Sequence, residues 1–163
     1  LETVRDHARR RLDPEQARDA ATRHRGWCLQ MAEAAEEGLR SGGQADLLER
    51  LEREHDNLRA ALADSLTLPD ARGDGLRIAG ALCRFWDIRG HHAEGRRWLG
   101  RLLDDPRAPE SVLAKALNGA GNLALAQGDY DDATLRHRAA LRILRRLGDA
   151  RAMAGTLSNL GLG

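Results

Sequence analysis

Apolar residues recur at three- and four-residue steps along nearly the whole chain, the spacing that lines one face of an α-helix. In the opening stretch Leu1, Val4, Ala8 and Leu12 share such a face. Asp13-Pro14 then marks a new start, because Asp caps helix N-termini and Pro is favoured at the first helical position. A long helix is predicted over 14–39, with Trp27, Met31, Ala34 and Ala35 as its apolar stripe, ended by the glycines of 41–44. A second runs over 45–66 on Leu48, Leu51, His55, Leu58 and Leu62. The stretch 67–75, rich in Pro, Asp and Gly, reads as the longest loop. Two helices follow, broken at Gly90-His91-His92, and lead to a loop at Pro106 to Pro109. Another pair covers about 111–127 and 131–147, and Gly148-Asp149 separates it from the start of a further unit at 151–163.

These helical pairs repeat. "RFWDIRGHHAEGRRWLGRLL" and "NLALAQGDYDDATLRHRAAL" align without gaps, placing Gly90 on Gly128, Gly95 on Ala133 and Leu103 on Leu141. Further on, "LNGAGN" (117–122) matches "LSNLGL" (157–162), with Gly121 on Gly161. A period near 40 residues built from two helices implies an α-solenoid, in which each hairpin stacks on the next.

Composition narrows this further. Aromatics are 3% of the 163 residues, while Ala, Leu, Arg and Glu dominate; these are good helix formers, so the expected class is all-α. The net charge of +1 gives no general attraction for nucleic acid or acidic membranes. Among 26 basic residues only Lys115 is a lysine. No apolar run reaches the roughly 20 residues of a membrane helix, and the chain opens without a signal-peptide pattern. Cys28 and Cys83 are isolated, which suits buried reduced thiols of an intracellular protein better than a disulfide framework or a zinc site.

The unit from Leu117 to Ala140 resembles the tetratricopeptide repeat: Leu117, Ala120-Gly121, Gly128-Asp129-Tyr130, Ala133 and Ala140 stand at that pattern's bulky, small, turn and aromatic positions. The resemblance implies a right-handed α-solenoid of such hairpins. Gly121 and Ala133 would then allow a close helix crossing, Gly128 would take the turn, Asp129 would cap the second helix, and Tyr130 would wedge between hairpins. His137 reads as a half-buried packing residue. A wider resemblance rests on "LETVRDHARRRL", "LEREHDNLRAAL", "RFWDIRGHHAEGRRWL" and "AKALNGAGNLALAQGDYDDA", in this order. Together they are similar to the region that follows the nucleotide-binding and winged-helix modules in bacterial STAND-class signal-transduction ATPases and LuxR-type regulators. That implies a cytoplasmic piece of a larger polypeptide: 1–12 as the tail of a winged-helix region, 13–70 as a long helical hairpin, and 71–163 as repeats (about 71–108, 111–148 and a truncated 150–163). The chain has no GxxxxGK[ST] phosphate loop, so any nucleotide site would lie elsewhere, and no cofactor is expected here.

Candidate chemistry is sparse. His91-His92 lack a Cys or acidic pair at ligand spacing and read as an exposed turn. His55 and Asp56, with Asn57 and Arg59, read as a polar network tying their helix to a neighbour. No nucleophile–base or paired-carboxylate pattern stands out, so no enzymatic activity is expected. The arginines at 9–11 and at 136–146 lack interleaved aromatics and read as solvated faces. In tetratricopeptide proteins the first helix of each pair lines the concave groove. Carried over, this places Arg77, Arg84, Asp87, Lys115, Asn118 and Asn122 on the groove wall. Arginine and asparagine there resemble a clamp for a peptide carboxylate or acidic side chains. The expected function is thus protein interaction or ligand sensing within a larger regulator, the partner being a protein or peptide, or another domain of the same polypeptide, not nucleic acid or a membrane. Leu157, Leu160 and Leu162 offer a further route, self-association through the truncated last repeat. The rival functions are an architectural spacer and nucleic-acid contact through the arginine faces.

Overall fold

The computed structural model of the protein describes residues 13–41 and 44–161. The amphipathic stretch 1–12, the glycines at 42 and 43, and Leu162 lie outside the described residues. The all-α expectation holds: among the described residues there are eight α-helices and no strand. They are α1 (Pro14–Ser41), α2 (Gln44–Arg53), α3 (His55–Thr67), α4 (Arg72–Arg89), α5 (His92–Leu103), α6 (Glu110–Ala126), α7 (Tyr130–Leu147) and α8 (Ala150–Asn159), with a short 3-10 turn at Pro69–Ala71. No helix among them is long and apolar enough to cross a membrane.

The long first helix forms as expected, but its buried stripe is shifted. Cys28, Met31, Ala32, Ala35 and Leu39 face the core, whereas Ala34 is exposed and Trp27 is 42% exposed. Small side chains on the inner face let α1 lie close to α3 and α4. The bulky Trp27 sits outside, stacked near His24 with ring centroids 6.4 Å apart.

The helix expected over 45–66 is two. Helical hydrogen bonds reach Glu54 from Arg50 (3.1 Å between Glu54 N and Arg50 O) and resume from Glu54 to Leu58 (2.9 Å), with the break between them. Asn57 Nδ2 donates to the Glu54 carboxylate at 2.7 Å across that break. His55, the first residue of α3, is buried there. The stretch 67–75 is not a long loop either, since α4 begins at Arg72. Its Gly75 serves packing: a Cβ there would lie 2.6 Å from Ser65 Cβ and 2.9 Å from Leu102 Cδ2. The glycine signal marks a place where three helices meet.

Helices α4–α5 and α6–α7 form two hairpins with the same turn. Gly90 and Gly128, 38 positions apart, both take left-handed backbone conformations (φ 75° and 76°). Each turn is closed by a Schellman-type bond, from His91 N–H to the Trp86 carbonyl and from Asp129 N–H to the Ala124 carbonyl. The Asp129 carboxylate accepts from Asp132 N–H and caps α7. At the open end of the second hairpin Arg146 pairs with Glu110, so the helices run antiparallel. Gly121 lies against the His137 ring, which a Cβ would approach to 2.6 Å. The close crossing expected at Gly121 is therefore present.

Tyr130 does not wedge between hairpins. It opens α7 and is 68% exposed. The wedge is Trp86, fully buried in α4, which presses on Gly95 of α5 beside Leu123 of α6. Around it Leu82, Phe85, Leu99 and Leu102 continue the core to Leu58, Leu62 and Leu76. Arg96 on α5 ties the hairpins at the surface, donating to Gln127 Oε1 (3.1 Å), Asp129 Oδ2 (2.5 Å) and Asp132 Oδ2 (3.0 Å). Helix α4 packs between α1 and α6, and that row of helices carries a cleft.

Candidate functional site

Two adjoining clefts open along this row. The first, about 220 Å³, is lined by Glu36 of α1, by Cys83, Arg84 and Asp87 of α4, and by Lys115, Asn118 and Asn122 of α6, with Gly80 and Gly119 in its wall. The second, about 690 Å³, lies between α6 and α8 and is bounded by Ser111, Asp149, Thr156 and Asn159. Arg84, Lys115 and Asn118 line both. Gly119 sets the closeness of α4 and α6, because the Cys83 Sγ occupies the space a Cβ would need. Burial pushes the Cys83 thiol up to about 12, with the Glu36 charge adding to the effect, so it stays protonated and packs as a small apolar group.

Of the groove residues expected from the sequence, Arg84, Asp87, Lys115, Asn118 and Asn122 come together around the first cleft. Arg77 does not. It lies on α4 but forks onto Glu33 of α1, with Nε and Nη2 each 2.9 Å from a carboxylate oxygen. Its role in the structure is a tie between helices, and the seven-residue spacing to Arg84 carries it past the cleft.

The remaining residues differ in how far their polar groups are engaged. Lys115 pairs with Glu36. The Asn118 and Asn122 side-chain carbonyls accept from Asn159 Nδ2 at 3.4 and 2.8 Å, and Asn118 Oδ1 also lies 3.2 Å from His137 Nδ1. Their carbonyls are thus held by α7 and α8, while no side-chain N–H of either makes a bond among the described residues. Asp87 is 3.3 Å from His92 Nε2. Arg84 is exposed and has no hydrogen bond or ion pair among the described residues. The wall therefore carries the Arg84 guanidinium and two amide N–H groups as donors, beside the Lys115–Glu36 pair and the Asp87 carboxylate. Its donors suit a carboxylate. Glu36 and Asn159, which complete it, come from helices distant in sequence and carry no local motif.

The polar network expected around His55 exists, with a centre the sequence did not indicate. Glu94, buried in α5, accepts from Arg59 Nε (2.8 Å), Arg59 Nη2 (2.6 Å) and Trp98 Nε1 (3.3 Å). Burial opposes its charge, but the Arg59 hydrogen bonds, His55 and Trp98 outweigh this and hold the Glu94 carboxyl down at about 2. Burial pushes His55 below the ordinary imidazole value. Its ring lies edge-on to Phe85, with centroids 5.3 Å apart, and 4.8 Å from the His91 ring. His91 and His92 are half-buried rather than an exposed turn.

Comparison of the chain with models of known families, with curated proteins and with solved structures finds no match.

Proposed function

We propose that the protein is a tetratricopeptide-like interaction scaffold that holds an acidic or carboxylate-terminated segment of a partner in the cleft between α4 and α6. The partner is a protein, a peptide or another part of the same polypeptide. The observation that carries this reading is Arg84, a guanidinium with no partner among the described residues, at the junction of two clefts beside Lys115 and two amide donors. An exposed arginine with no internal partner contributes little to folding, and its planar fork matches a carboxylate. The paired turns 38 residues apart and the alignment of the two hairpins support a stack of such repeats, which the family resemblance makes a right-handed solenoid. In this reading the chain is the sensor or scaffold arm of a larger bacterial STAND-class signalling regulator, with binding rather than catalysis as its task.

A panel of acidic peptides with free C-termini, titrated against the chain by calorimetry, tests the reading. Binding is expected for some members, and Arg84→Glu abolishes it while leaving the melting temperature within a degree or two. If no peptide binds, or if the tightest binder is indifferent to Arg84→Glu, the cleft is not the site and the spacer reading takes its place.

A further inference from the structure

Away from the cleft, the break between α2 and α3 faces the turn between α4 and α5. There Glu52 of α2, His55 of α3 and His91 of the turn present donor atoms that all lie within 4.8 Å of one another. His91 Nε2 is 3.3 Å from Glu52 Oε1 and 3.4 Å from Oε2, and His55 Nδ1 is 3.9 Å from Glu52 Oε1. A tetrahedral ion with bonds of about 2.0–2.1 Å spaces its donors roughly 3.3 Å apart. The His91–Glu52 pair already stands at that separation, and His55 Nδ1 would have to draw closer to complete the triangle.

The other side of His55 adds an independent observation. Its side chain is only 7% exposed, yet among the described residues its Nε2 has no hydrogen-bond partner of acceptable geometry. Glu94 Oε1 is 3.2 Å away but off the hydrogen-bonding direction. With Nε2 protonated and held by Glu94, the Nδ1 lone pair would be left for an ion shared with Glu52 and His91. A carboxylate behind a histidine is how metal-binding imidazoles are usually fixed in one tautomer. Glu94 is itself locked by Arg59 and Trp98, so it is suited to that part. Arg89, whose Nε is 3.8 Å from Glu52 Oε2, is the charge that an ion would displace.

We propose that Glu52, His55 and His91 form a binding site for a divalent ion of zinc type, with Glu94 orienting His55 from behind. Two imidazoles and one carboxylate favour zinc and its first-row neighbours over calcium or magnesium. Three protein ligands leave a coordination position open to water or to a group from a partner. Because the ligands come from α2, α3 and the turn before α5, a bound ion clamps the N-terminal helices to the first hairpin.

The test is titration of the chelator-treated chain with zinc and with cobalt, the latter read by its visible d–d absorption. The expected result is one equivalent bound, with a rise in melting temperature. His91→Ala and Glu52→Gln, both at partly exposed positions, weaken binding at least about tenfold, whereas His92→Ala leaves it unchanged. The proposal is overturned if neither metal binds, if both variants bind like the parent, or if binding depends instead on the His24–Cys28 pair, whose Nε2 and Sγ are 3.7 Å apart.

Discussion

At the scale of single residues, glycines divide into those with a neighbour and those without. Gly121 sits under the buried His137 ring, whereas a Cβ on Gly100 in α5 meets nothing within 4 Å. Alanine gains about 1 kcal/mol over glycine in a helix interior, but overpacking a core costs about 1–3 kcal/mol. Gly121→Ala should therefore destabilise the protein by about 1–2 kcal/mol, and Gly100→Ala should stabilise it by up to about 1 kcal/mol. Urea denaturation of the two variants separates them, and equal effects would contradict the packing assigned to His137. His137 carries a second consequence. It is buried, its Nε2 has no hydrogen-bond partner among the described residues, and burial pushes its pKa below the ordinary 6.5. A base with a depressed folded pKa binds protons more readily unfolded, so its neutral form supports the fold fully above about pH 6.5. That support is lost as the pH falls below this value. Unfolding free energy measured between pH 7.5 and 5 should decline, and His137→Leu should flatten the decline.

At the scale of elements, the two hairpin turns depend on one backbone conformation. Gly128 stands at φ 76° with open space around it, so replacing it strains the backbone without any clash. Gly128→Ala should cost about 1–2 kcal/mol, measured by thermal or urea unfolding; a neutral result would mean that the turn relaxes to another form. This turn was legible in the sequence, as Gly-Asp after a helical run, and so were the existence and order of most helices. Features set by distant partners were not. The helix over 45–66 contains no Pro or Gly, so nothing local announced its break at Glu54. The Pro, Asp and Gly of 67–75 have the composition of a loop, yet Gly75 is there to admit Ser65 and Leu102. Periodicity gave the α1 stripe its spacing but not its phase, because Trp27 and Cys28 differ by one position and only packing chooses between them. The repeat resemblance assigns the wedge to Tyr130, the aromatic after the turn, while Trp86 fills that place because Gly95 makes room for it.

At the scale of the whole molecule, side chains meet that the sequence keeps far apart. The cleft was half legible: seven- and four-residue spacings put Arg84 and the two asparagines on helix faces, but Glu36 lies 79 positions from Lys115 and could not be anticipated. Arg77 was misplaced for the same reason, since Glu33 claims it from another helix. The cluster of Glu52, His55 and His91 exists only through the docking of α2 and α3 on the first hairpin, so its histidines looked unrelated in the chain. The position of Lys115 also has a practical consequence. It is the sole lysine of the sequence and its side chain is 42% exposed on the shared wall of both clefts. Amine-directed reagents thus have a single side-chain target in this chain: a fluorophore attached there reports from inside the groove, and a short-armed crosslinker attached there captures whatever the groove holds.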